Sequence, residues 1–166
     1  MGDRSVTRNC GPDLARVGAG LPVAAYRDEI TTALHGGRAV IVAPPGTGKT
    51  TFVPPLVASR CSGRVIVTQP RRVAARAAAR RLAALTGTRP GEFASHTVHG
   101  ESTTTRDTKV EFVTTGVLLR RLLSDPDLTG VDAVVLDEVH ERHLDADLVV
   151  AMVCEVAQLR DDLTIV

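Results

Sequence analysis

The segment Ala43-Pro-Pro-Gly-Thr-Gly-Lys-Thr50, directly after the β-branched run Arg38-Ala-Val-Ile-Val-Ala43, constrains the fold more than any other part of the chain. Gly46 and Gly48 let a loop turn its backbone N–H groups inward, and a helix starting near Lys49 adds its positive end. Such a cradle for anions needs a strand before it and a helix after it, which places it at the carboxyl end of a strand in an α/β domain. Lys49 would reach the oxygens of a bound phosphate, and the Thr50 hydroxyl would face a divalent cation. The pattern G-x-x-x-x-G-K-[ST] has Ala43 in its first glycine position here, and Pro44-Pro45 presets the turn that the glycine usually permits.

The rest of the chain agrees with that placement. Arg64-Val-Ile-Val-Thr68, Lys109 to Thr114 and Ala133 to Leu136 read as further strands of the buried, parallel kind. Between them, Pro70 to Leu85 predicts a helix closed by Gly87, and Val117 to Leu123 and Asp145 to Gln158 predict two more. Thr50 to Ser59 should also begin a helix, limited or kinked after one turn by Pro54-Pro55. Strand alternating with helix, opened by a phosphate loop, predicts a doubly wound α/β domain. With 166 residues and 43% hydrophobic content the chain has material for one core. Gly11-Pro12 and Gly18-Ala-Gly20 suggest a loosely attached leader over residues 1–20, with the domain proper spanning 21–166.

A second chemical signal is Asp137-Glu-Val-His140, at the end of the apolar run Val131-Asp-Ala-Val-Val-Leu136. An acidic pair at the carboxyl end of a strand beside a phosphate loop is where triphosphate chemistry needs it. Asp137 would hold Mg²⁺ and Glu138 would orient or deprotonate the attacking water. A zinc helix is the rival reading of His140-Glu141-Arg142-His143, but such a helix spaces its histidines four apart and these are three apart.

Net charge is +1, so partners must be argued from where charge sits. Arg72, Arg76 and Arg80 form one helical stripe flanked by Arg71 and Arg81. Because the stripe starts at a strand's carboxyl end, Arg71 and Arg81 are expected to face ligand and Arg76 to be surface. Tyr26, Phe52, Phe93 and Phe112 are the whole aromatic complement. A base-stacking platform therefore has little to be built from, and a nucleic acid would be held by its backbone. Cys10, Cys61 and Cys154 are few and far apart, a reducing-compartment pattern that, with no signal-peptide core and no membrane-length apolar run, predicts a cytoplasmic location.

With these residues in hand, the chain resembles the first RecA-like lobe of a superfamily 2 DEAH-box helicase, most similar to the bacterial HrpB branch. Leu21-Pro-Val-Ala-Ala-Tyr-Arg27 resembles the family's leading segment, Ala43 to Thr51 its motif I, and Thr68-Gln-Pro-Arg-Arg-Val-Ala-Ala75 its motif Ia. Thr114-Thr-Gly-Val-Leu-Leu-Arg120 is similar to motif Ib, and Asp137-Glu-Val-His-Glu-Arg142 to the DEAH box with Val third. The resemblance implies a three-layer, mostly parallel sheet with helices on both faces, and ATP and Mg²⁺ as ligands. Under it, Pro45, Gly46, Thr47, Gly48, Lys49, Thr50 and Thr51 bind nucleotide phosphates, with Arg81 stacking on the adenine. Thr50 and Asp137 serve the metal, Glu138 the water, and His140 couples the site to motif III. Arg71, Arg72, Thr114 and Gly116 lie along single-stranded RNA or DNA.

Thr115 departs from the family's usual acid, and Ser95-His96 and His99 replace its common Gly-Tyr and Arg. Leu163-Thr-Ile-Val166 resembles the strand leading into motif III, so motif III, the second RecA-like lobe and its arginine fingers are expected to be missing partners of this chain. A monomer that is inactive or weakly active alone is the expectation. The same surface also suits a non-catalytic nucleotide- or nucleic-acid-binding domain.

Overall fold

The structure, a computed structural model, describes residues 11–141 and 143–166. Its sheet is built on β1 (Arg64–Gln69), which pairs in parallel with β4 (Val110–Thr114) on one side and β5 (Val131–Leu136) on the other. β2 (Ala94–Val98) lies parallel beyond β4, and β6 (Thr164–Ile165) parallel beyond β5. The short β3 (Glu101–Ser102) is the one antiparallel member, giving the order β3-β2-β4-β1-β5-β6. Among the described residues six α-helices connect or precede these strands: α1 (Leu14–Gly18), α2 (Arg27–Leu34), α3 (Lys49–Ala58), α4 (Arg72–Thr86), α5 (Thr115–Ser124) and α6 (Leu144–Leu159), with a 3-10 helix at Pro22–Tyr26.

Because side chains alternate along a strand, each central strand feeds two cores. Val65, Val67, Phe112 and Val135 face one, together with Val17, Phe52, Leu56 and Leu82 from the α1–α4 side. Ile66, Val113 and Val134 face the other, with Leu118 and Leu122 of α5 and Val149 and Val153 of α6. The result is the expected three-layer α/β arrangement. One charge sits inside it: Glu111 of β4 is fully buried. It accepts from Thr97 Oγ1 at 2.6 Å, from both Arg121 terminal nitrogens at 3.0 and 2.8 Å, and from Arg64 at 3.3 Å.

Several expectations are corrected. The leader expected to be loose over residues 1–20 is packed where it is described: Asp13 caps α1 through Ala15 N and Arg16 N at 3.1 Å, and Val17 is 1% exposed. Residues 1–10 lie outside the described residues. α3 runs unbroken through Pro54 and Pro55, although each removes a backbone donor. Burial of Phe52, Val53, Leu56 and Val57 on one core holds the helix where propensity alone would break it. Arg38 to Ala43, expected as a strand, forms only an isolated bridge, Arg38 to Ile165. Val40 and Val42 stand 91% and 90% exposed. β2, in contrast, is a strand that the sequence hides behind Ser95, His96 and Thr97.

Candidate functional site

The strand order sets β1 beside β5, and their register pairs Thr68 with Leu136, so the ends of both strands reach the same rim. There the Thr68 hydroxyl accepts from Asp137 N at 3.1 Å, while Gln69 Nε2 donates to Asp137 Oδ2 at 2.7 Å. The same carboxylate oxygen accepts from the Thr50 hydroxyl at 2.5 Å. One hydrogen bond thus joins the first turn of α3 to the acidic turn after β5. Glu138 follows in the left-handed region, φ +55°, with its backbone N donating to Asp137 Oδ1 at 3.0 Å. Its carboxylate lies 3.3 Å from His140 Nε2.

The loop before α3 is shaped by its two glycines, Gly46 at φ +79° and Gly48 at φ +92°. A Cβ on Gly48 would also press on Leu21 at 3.0 Å. Leu21 begins the segment that clasps the loop from outside: Val23 N donates to the Thr47 carbonyl at 3.1 Å. Thr47 Oγ1 donates to the Pro44 carbonyl at 2.9 Å, and Lys49 Nζ donates to the carbonyls of Ala43 and Pro44. Thr51 N closes the first turn on Gly48 O at 3.1 Å. An open cavity of about 760 Å³ brings Pro45, Lys49 and Thr50 to face Asp137, Glu138 and His140. The convergent hydroxyl and carboxylate oxygens of Thr50 and Asp137 suit a hard divalent cation that keeps most of its waters. Among the described residues no group of three His, Cys, Asp or Glu converges as a metal cage.

The family profile described as DEAD/DEAH box helicase matches residues 26–152. The chain belongs to that family. Among the relatives of this helicase domain, the ATP-dependent RNA helicase HrpB of Escherichia coli (strain K12) is 44% identical over 147 residues, covering 86% of this chain and 18% of its own. ATP-dependent RNA helicase HrpA of Borreliella burgdorferi is 35% identical over 150 residues, covering 88% and 18%. The crystal structure of the E. coli DEAH/RHA helicase HrpB superposes with a TM-score of 0.83 at 42% identity, over 87% of this chain and 19% of that one. The chain therefore spans about a fifth of the length of these helicases.

Other residues singled out by sequence sit as follows in this helicase domain. Arg71 stands at the N-cap position of α4 and Arg72 opens the helix, both exposed on the same rim, and Arg71 reaches Glu141 of the acidic turn at 3.9 Å. Thr114 ends β4 in register with Gln69, and Gly116 stands in the first turn of α5. These four thus share one edge beside the cavity. Arg81 lies far along α4, exposed and outside the cavity that holds Lys49 and Asp137. Arg76 is on the surface, as expected, with its Nε donating to Glu101 at 3.1 Å. Gln69 is the residue that sequence reasoning missed. Its signal was an amide at the carboxyl end of an apolar strand, only 4% exposed, where a polar group has to find a partner.

Proposed function

We propose that this chain is the ATP-binding lobe of an ATP-dependent RNA or DNA helicase of the DEAH-box type, acting in the cytoplasm as a monomer. The observation that carries the reading is the 2.5 Å bond from Thr50 to Asp137, which ties the phosphate loop to the acidic turn. Gly46 to Thr51 and Lys49 hold the β and γ phosphates, and Thr50 and Asp137 present the oxygens that hold Mg²⁺. Magnesium, when bound there, offsets charge on the transferring phosphoryl group. Glu138 orients the attacking water and accepts its proton, with His140 beside it as the link to the neighbouring lobe. Arg71, Arg72, Thr114 and Gly116 hold the backbone of a single strand along the adjoining edge. Arg81 would meet the adenine only if the base extends past the cavity along α4, and a second RecA-like lobe closes the open side of the nucleotide.

Calorimetry with Mg²⁺ and ATP tests the core of this reading. The chain is expected to bind nucleotide, and Lys49→Ala is expected to abolish that binding while leaving the fold intact by circular dichroism. Equal affinity in the variant would remove the phosphate loop from the function.

A further inference from the structure

The opposite rim of the sheet, where the strands begin, carries a second cavity of about 460 Å³. β1 is six residues long, so at about 3.3 Å per residue roughly 17 Å of sheet separates this rim from the nucleotide cavity. Four basic side chains line it: Arg64 at the start of β1, Arg106 and Lys109 from the loop before β4, and Arg121 of α5. Asp125 is the one acid in the wall, and it is turned to Thr129, accepting from the backbone N at 2.8 Å and the hydroxyl at 3.2 Å. Nearby acids are engaged too. Glu111 is buried beneath, shared by Arg64 and Arg121, and Asp132 accepts from Gly63 N at 2.5 Å. Hydrogen bonds from neutral donors leave Asp125 and Asp132 charged, so the four cations set against Asp125, Glu111 and Asp132 leave a surplus of one positive charge among these groups.

Donors are left over as well. Arg64 Nε is buried and has no hydrogen-bond partner among the described residues, a state that costs free energy until an acceptor meets it. Lys109 Nζ donates to the Ser62 carbonyl, which uses one of its three hydrogens. Arg106 makes no hydrogen bond or ion pair among the described residues. The remaining wall is small and polar at Ser62, Gly63, Thr108 and Gly130, with Val131 as its apolar member.

We propose that this cavity is a second anion site, built for phosphate groups and separate from the nucleotide pocket. Guanidinium forks and a lysine ammonium around a polar hollow match tetrahedral oxyanions, whether free phosphate or the backbone of a nucleic acid. The proposal does not depend on the helicase reading, since none of its residues belongs to the phosphate loop or the acidic turn.

Amide NMR of the full chain separates the two sites, with Gly46 and Gly48 reporting on one and Gly63, Lys109 and Gly130 on the other. Titration with inorganic phosphate, and separately with a short single-stranded RNA, is expected to move the second set saturably. Arg106→Ala and Lys109→Ala are each expected to weaken that binding about tenfold, the usual loss for a charge-assisted hydrogen bond, without moving the first set. Stronger binding of RNA than of phosphate assigns the site to the backbone, and binding of phosphate alone assigns it to the free anion. Arg106 touches nothing that the fold needs, so its replacement leaves folding aside. If neither ligand moves Gly63, Lys109 and Gly130, or if both variants bind as the parent does, the site does not exist.

Discussion

Glu138 holds a left-handed backbone conformation, φ +55°, which costs a residue with a Cβ about 1–2 kcal/mol. The turn thereby aims a carboxylate at the cavity instead of extending β5. Two substitutions separate the strain from the chemistry. In a full-length relative, Glu138→Gln is expected to keep nucleotide binding and lose steady-state hydrolysis, because the phosphate and metal contacts do not involve this side chain. In the present chain, Glu138→Gly is expected to raise the unfolding free energy by about 1 kcal/mol. Unchanged hydrolysis in the first, or clear destabilisation in the second, contradicts the corresponding role. The partners of Asp137 show how far single residues were legible. Lys49, Thr50 and Asp137 announce themselves because phosphate and metal chemistry demands those types at those spacings. Gln69 does not, since its bond depends on the β1–β5 register, which no local pattern in either strand encodes.

At the level of elements, the apolar parallel strands and α4, α5 and α6 were readable because periodicity and caps agreed, as with Gly87 at φ +69° closing α4. Two failures share one cause, long-range packing that outweighs local preference. α3 passes through two prolines because its flank is buried, and β2 escaped notice because its polar residues are satisfied inside. Thr97 serves Glu111 at 2.6 Å, and His96 meets Glu101 at 2.8 Å. Glu111 ties β2, β4, β1 and α5 together. Burial pushes its carboxyl up, but hydrogen bonds from Arg121 and Thr97 and the charges of Arg121 and Arg64 outweigh this and hold it below the ordinary 4.5. Its ionised form therefore stabilises the fold fully above that ordinary value, and the contribution disappears as pH falls through the lower folded value. Glu111→Ala, which leaves two arginines partly buried without their partner, is expected to cost about 3–5 kcal/mol at neutral pH. The variant's deficit should shrink in acid; a deficit that is constant from neutral pH to below the folded value would contradict the ionic role.

Across the whole molecule, the sheet separates two edges, with the proposed nucleotide and nucleic-acid contacts where the strands end and the proposed anion site where they begin. On the proposed reading, hydrolysis needs charge-stabilising groups on both sides of the γ-phosphate, and an arginine finger from a second wall is worth about 10³ to 10⁵ in rate. This chain alone is thus expected to show little phosphate release, with no marked stimulation by single-stranded RNA or DNA at low or moderate salt. Robust stimulation of the pure chain would mean that the lobe is self-sufficient. The frayed stretch after Arg38 bears on a different matter, how the chain behaves in the tube. Val40 and Val42 point into water from a segment that pairs only at Arg38, and an apolar edge of that kind templates contact with another molecule. Light scattering against concentration should rise earlier for the parent than for Val40→Lys, with circular dichroism unchanged between them. At a net charge of only +1, the concentration at which such a solution turns turbid is then expected to respond to what stands at Val40 and Val42.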